Sequence, residues 1–388
     1  MLSLVAALAL QDPWWDAAWK LRRALAVRNA AAEAVAAGTP VELEIDPDFL
    51  GLRDKGRPGL ADLAVVRGGR RIPHVLRPSA DGRRLSLAFP LAEAVAPGKS
   101  DAYALYYGNP AGAPPAEAAF PLVEDFARPP ALAFGDLVAG VQDGALEIRN
   151  VPATRSAVAP ERVEFPGIAL PRAFTLSFDL EAGFAGTPVL AACLEVALEG
   201  KAAAAEDVRR AEALVRDLGA DDFDVRDKAT TALIALGEAA LPALREAARS
   251  EDAEIRTRAQ QALAGIRKKS PPPLIRAGLL SGDILWKTSM VGGPYSNQGA
   301  SRPADGSPRR FRFEIARDPE GWVTVSCDGQ RLQRGRLEGS GGRLAIAAWK
   351  TSDAKPAPIR LDNVFLRAYV DPDERPATTI DVEEAKPQ

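Results

Sequence analysis

The stretch Phe311-Arg312-Phe313-Glu314-Ile315-Ala316-Arg317-Asp318-Pro319-Glu320-Gly321-Trp322-Val323-Thr324-Val325-Ser326-Cys327-Asp328-Gly329-Gln330-Arg331-Leu332 decides the fold. Apolar and polar residues alternate through Ile315 and again from Trp322 to Cys327, the period of a strand that buries one face. Arg317 to Gly321 supplies a hairpin turn, and Cys327-Asp328-Gly329 a second tight turn. The same alternation runs through Phe174–Leu180 and Ile359–Leu366, and further strands read at Val189–Leu198, Leu344–Trp349 and after the Asp143-Gly144 turn. With Gly and Pro at 32 each, this predicts an antiparallel sandwich built from 119–200 and 274–370.

Between those pieces the period changes to that of a helix. Asp224-Val225-Arg226-Asp227-Lys228-Ala229 to Leu233 recurs thirty positions later as Glu254-Ile255-Arg256-Thr257-Arg258-Ala259 to Leu263. Leu236-Gly237 reads as a helix stop and Pro242 as a first-turn residue of the next helix. Residues 203–268 are therefore an α-helical insertion, because strands that complete the sandwich lie on both sides of it. Its acidic and basic residues are about balanced, so it is not a polyanion binder.

Upstream, Trp19–Val27, Val41–Ile45, Leu63–Val66, Ile72–Leu76, Leu85–Phe89 and Tyr103–Tyr107 read as short strands of a separate β domain over 13–112. Met1 to Leu10 is apolar apart from Ser3, with Ala7-Leu8-Ala9 as a small-residue cleavage pattern and no basic n-region. Segment 1–12 is thus signal-peptide-like, which implies export to the periplasm or beyond. Residues 371–388, rich in Pro and acid, read as a disordered tail.

Three resemblances follow from these residues. Trp15 to Arg23, Asp62 to Val65 with Ile72-Pro73-His74, and the closing Tyr106-Tyr107-Gly108-Asn109-Pro110 resemble a bacterial domain of unknown function commonly placed ahead of a jelly roll in exported proteins. The Phe174–Leu180 strand, the 311–332 double hairpin and Ile359–Ala368 resemble the concanavalin A-like, laminin-G-like jelly roll. The repeated V-R-x-x-A-x-x-A-L followed by L-G-x-x-A-L-P resembles HEAT repeats. Together they imply a multidomain, mainly β protein: two antiparallel β-sandwiches, the second a concanavalin A-like jelly roll, with a HEAT-like helical module inserted.

Composition narrows the chemistry. A net charge of −3 gives no footprint for nucleic acid, and no apolar stretch is long enough for a membrane span. One histidine, His74, leaves no second imidazole for a multi-histidine zinc site, and two cysteines exclude four-thiolate zinc. Cys193 and Cys327 either pair or remain free thiols. Glu195 and Glu199 share a strand face, as the carboxyl pair of a jelly-roll hydrolase must, but solvated strand-face carboxylates are the simpler reading. Glu124, Asp125 and Asp362 lie where such sandwiches hold calcium, without supporting spacing. We expect no catalytic residue, metal or cofactor. Trp286, Tyr295, Asn297, Trp349 and Trp14 are the candidate ligand-binding residues, since aromatic rings and amides recognise saccharides. For Trp286 and Trp349 core packing competes with that role. The expected function is a non-catalytic extracytoplasmic binding module for carbohydrate or an envelope component, with protein contacts through 203–268. A jelly-roll hydrolase and an architectural envelope protein are the alternatives.

Overall fold

The computed structural model of the chain describes residues 13–48, 51–56, 60–78, 83–112, 120–124, 126, 132, 138–143, 145–151, 161–182, 190–198, 204–269, 274–280, 286–290, 296–298, 308–339, 341–350, 358–372 and 375–385; at 286–290, 296–298 and 381–385 it describes the backbone. Segment 1–12, Tyr295, Glu199 and Asp125 lie outside the described residues.

The first unit contains β1 (Leu21–Arg28), β2 (Pro40–Ile45), the short helix α1 (Leu52–Lys55), β3 (Ala64–Arg67), β4 (Arg70–Ile72), β5 (Val75–Pro78), β6 (Leu85–Pro90) and β7 (Ser100–Tyr107). Strands β2, β6 and β5 form a three-stranded sheet in the order β2-β6-β5. It faces β1, β7, β3 and β4 across a core that includes Leu25, Val27, Val65, Phe89, Leu105 and Tyr107. Burying each such side chain stabilises by roughly 1.5–3 kcal/mol.

The Tyr-Tyr-Gly-Asn-Pro motif has a local cause. Tyr107 enters this core, while Tyr106, pointing the other way, joins Trp19, Ala64 and Val66 on the opposite face. Gly108 then takes the left-handed conformation at φ 80°. The backbone N–H groups of Gly108 and Asn109 donate to the buried Asp62 carboxylate at 2.6 and 3.0 Å, and the Asn109 side chain closes the turn onto Ala111 and Gly112.

The second unit contains β8 (Leu122–Glu124), β9 (Val138–Gln142), β10 (Ala145–Asn150), β11 (Glu161–Glu164), β12 (Phe174–Ala182) and β13 (Leu190–Ala197). After four helices come β14 (Leu274–Leu280), β15 (Trp286–Met290), β16 (Ser296–Gln298), β17 (Arg309–Arg317), β18 (Trp322–Cys327), β19 (Gln330–Arg336), β20 (Arg343–Lys350) and β21 (Ile359–Ala368). An eight-stranded sheet runs β19-β18-β17-β12-β21-β10-β9, with β8 pairing β21; a six-stranded sheet runs β11-β20-β13-β14-β15-β16. All their pairings are antiparallel. One core joins the two sheets, with Phe174, Leu176, Phe178 and Leu180 of β12 meeting Leu194, Val196 and Ile346. Chain from before the helices pairs with chain from after them in both sheets: β12 with β17 and β21, β13 with β14 and β20. The tight turn at Asp328-Gly329 takes left-handed φ at both residues, 48° and 77°.

The helices are α2 (Ala205–Asp217), α3 (Phe223–Leu236), α4 (Leu241–Ala247) and α5 (Ala253–Lys269). The sequence repeat is atomic in detail. Asp222 and Asp252 each accept the backbone N–H two residues on at 2.8 Å, capping α3 and α5. Arg226 and Arg256 each reach back to two carbonyls, Ala220 and Asp221 in one copy, Ser250 and Glu251 in the other. Gly265 lets α3 and α5 cross closely, since a Cβ there would lie 2.6 Å from the Ile234 side chain.

The tail expectation is corrected. Ala377–Ala385 forms β22, antiparallel to β1 from Leu21↔Ala385 to Arg28↔Ala377, and completes the first unit's second sheet in the order β22-β1-β7-β3-β4. The β-branched run Thr378-Thr379-Ile380 carries strand character that the surrounding Pro and acidic residues mask in composition, and Ile380 packs on the first core.

The two units meet face to face. Arg77 of β5 donates to Ser177 Oγ and to Glu42 Oε1, both at 2.6 Å, and lies 4.1 Å from the centre of the Phe365 ring. Arg367 pairs with the other Glu42 oxygen at 3.0 Å. Thr175, Ser177, Phe365 and Arg367, on the outer face of the eight-stranded sheet, are buried as a result.

Candidate functional site

With the outer face of one sandwich sheet covered by the first unit, the six-stranded sheet has a second face of its own. Residues directly opposite in antiparallel strands share a face. Ala347, Cys193 and Gly278 form one row across β20, β13 and β14, and Ala345, Glu195 and Arg276 the next. The floor is small by necessity. A Cβ on Gly278 would lie 2.2 Å from the Ala192 carbonyl oxygen. Arg162 stands on β11, two strand spacings or about 9.6 Å from β13. Alanines at 345 and 347 let its side chain lie across β20 and donate from Nε to Glu195 Oε1 at 2.5 Å. Arg276 donates from Nε to Oε2 at 2.9 Å. Both Glu195 oxygens are thus occupied by guanidinium groups, and the residue is 3% exposed.

Trp349 lies on this same face, clustered with Ala191, Cys193 and Ala347, outside the sandwich core. It is 4% exposed, and its indole N–H, also buried, has no acceptor among the described residues. Trp286 does not share its register. It stands opposite Leu279, a core residue, whereas Trp349 stands opposite Ala191. Asn297 pairs with Lys287 in the β15–β16 ladder, which puts it in the row of Gly278 and Cys193.

Trp14 is remote from all of these. It packs edge-on against Tyr106 at 5.4 Å, donates to the Trp19 carbonyl at 3.0 Å and carries the Arg22 guanidinium over its ring. Cys193 and Cys327 are both free: one is on the outer face of the six-stranded sheet, the other in the sandwich core. Burial pushes the Cys193 thiol up to about 12, so it carries no charge at neutral pH.

Sequence reasoning missed Arg162 and Arg276. The signal for Arg276 was present: it interrupts the apolar run Leu274-Ile275-Arg276-Ala277-Gly278-Leu279, where a charge needs a partner.

A second polar site sits on the outer face of the eight-stranded sheet, a cavity of about 220 Å³ lined by Asp143, Ala145, Asp179, Glu181, Arg310, Arg360 and Asp362. Arg310 Nη2 donates to Asp179 at 2.7 Å and to Asp362 at 2.9 Å, while Arg312 and Asn363 also hold Asp179. Burial works to raise the Asp179 pKa, but Arg312, Arg310 and Asn363 outweigh it and hold the carboxyl below its usual range. For Asp362 burial prevails and the pKa rises. Arg310 thus supplies the positive charge beside Asp362, and Glu124 accepts the Phe126 N–H. No group of three acidic, histidine or cysteine side chains able to hold a metal occurs among the described residues. His74 is half-buried, with its ring nitrogens on the Ile72 and Leu63 carbonyls.

No family model and no curated protein matches the chain. Among solved structures, the carbohydrate binding module CBM66 from Bacillus subtilis is similar at 9% identity and a TM-score of 0.32, covering 62% of this chain and 98% of that one. A protein of unknown function with a galectin-like fold, also from Bacillus subtilis, is similar at 12% identity and 0.31, covering 59% and 86%. Lectin I-B4 from Griffonia simplicifolia is similar at 9% and 0.31, covering 62% and 94%. No helix among the described residues is long and apolar enough to cross a membrane.

Proposed function

We propose that the chain is a non-catalytic extracytoplasmic binding module, a concanavalin A-like jelly roll that takes carbohydrate or another envelope component on the outer face of its six-stranded sheet. The observation that carries this reading is that Trp349 and the clamped Glu195 lie on one face of the sheet, with the Cys193–Ala347 row between them. A buried indole N–H without an acceptor costs roughly 1–3 kcal/mol, which a ligand oxygen would recover. Indole N–H and guanidinium groups gathered on one face are donors of the kind that hydrogen-bond to sugars. Glu195, with both oxygens engaged by arginine, is poorly placed to act as acid or nucleophile. Export rests on segment 1–12. The helices are read as HEAT-like repeats that contact protein, in keeping with the 60% exposed Phe223 flanked by Arg226 and Arg258.

Calorimetric titration of a glycan panel tests the reading. Trp349→Phe keeps an aromatic ring, though a smaller one, and deletes the N–H, and it should weaken binding about tenfold, the equivalent of ~1.4 kcal/mol. No reducing sugar should be released. Release that Glu195→Gln abolishes would make the chain a hydrolase. Silence on every glycan, with a protein partner recovered through 203–268, would make it architectural.

A further inference from the structure

Among the described residues, Arg162 and Arg276 give the six-stranded face more positive charge than Glu195 offsets. Arg162 and Arg276 converge on the single carboxylate of Glu195. The neighbouring Arg343 pairs with Glu164 at 2.9 Å, and Cys193 on the same face is a neutral thiol. Two guanidinium groups against one carboxylate leave one positive charge, and Arg276 is only 16% exposed, so water screens it incompletely. Each arginine spends its Nε on Glu195; among the described residues neither set of Nη nitrogens takes another acceptor. The donors that remain have the forked geometry that suits a planar carboxylate.

We propose that the ligand of this face is an acidic carbohydrate, a chain containing uronic acid units whose carboxylates are received by Arg162 and Arg276. The proposal rests on the reading of the face as a saccharide platform and names the class of saccharide. Glu195 orients the two guanidinium groups and holds their Nε edges, so their outer edges meet the ligand. A neutral chain would gain nothing from the surplus charge.

The test is a matched pair of probes, oligogalacturonate and its fully methyl-esterified form, titrated against the full chain at low and high salt. The free acid should bind at least tenfold more tightly than the ester, and the gap should shrink as NaCl rises from 20 to 300 mM, because salt screens charged contacts. Arg162→Gln, on the edge strand and 39% exposed, should close most of the gap while its amide still donates to Glu195, and it is scored only with a circular dichroism spectrum that matches the parent's. Arg276→Gln is the second variant, scored only if its circular dichroism matches that of the parent. Equal affinity for acid and ester would overturn the acidic-ligand inference while leaving the platform intact. Tighter binding of a sulfated neutral chain than of the uronate would overturn it too. If neither probe nor any member of the glycan panel binds, the platform reading itself fails.

Discussion

His74 holds its ring between two carbonyls, Ile72 and Leu63, each 3.1 Å away, yet a neutral imidazole has only one N–H to donate. Burial is the largest influence and lowers its pKa from 6.5; Arg71 acts in the same direction, and the two carbonyls oppose them. The unfolded chain therefore binds a proton near pH 6.5 that the folded chain refuses until the pH is lower. Stability is complete above that value and falls as pH drops through it. Glu42 titrates further down: burial would raise its pKa, but Arg367, Arg77 and Ser86 hold it below 4.5, so its contribution is lost only in more acidic solution. Thermal midpoints recorded between pH 7.5 and 5 should decline for the parent, and the decline should flatten in His74→Gln. An unchanged slope would show that other groups govern this window.

Strands are the elements most legible in the sequence, because a period of two needs nothing but the chain itself to be seen. Phe174–Ala182 and Arg309–Arg317 emerged where alternation placed them. β22 was not legible, since flanking Pro and acidic residues dominate composition and its partner β1 lies at the far end of the sequence. Removing 372–388 should lower unfolding free energy by roughly 1–2 kcal/mol from the loss of the partly buried Ile380, with the lost β1–β22 ladder adding to it. It also bares the β1 edge, so size-exclusion chromatography should reveal association that the intact chain lacks. A truncated chain that is as stable and as monomeric as the parent would show that β22 contributes nothing.

At the scale of the whole molecule, alternation reveals which side chains share a face but not what covers that face. Thr175, Ser177 and Asp179 have the look of a solvated strand side, and they are buried beneath the first unit or among arginines. The candidate site was half legible for the same reason. Trp349 can be picked out by residue type, whereas the convergence of Arg162, Glu195 and Arg276 depends on strand order across β11, β20, β13 and β14. The helices, by contrast, interrupt one hairpin, since β13 and β14 are direct neighbours with Ala197 opposite Leu274. Replacing 199–272 with Asn-Gly should leave a soluble sandwich whose near-ultraviolet spectrum and midpoint are close to the parent's. An insoluble product would show that the helices are needed to hold the sheet.

The β1–β22 ladder sets a timetable for biogenesis. A ribosome delivers Leu21–Arg28 early, but that strand's outer neighbour emerges only after both sandwich sheets and the helices have been synthesised. Until then the nascent first unit exposes an unpaired backbone edge. A prematurely terminated product keeps that edge open, and an open edge is a template for pairing with other chains.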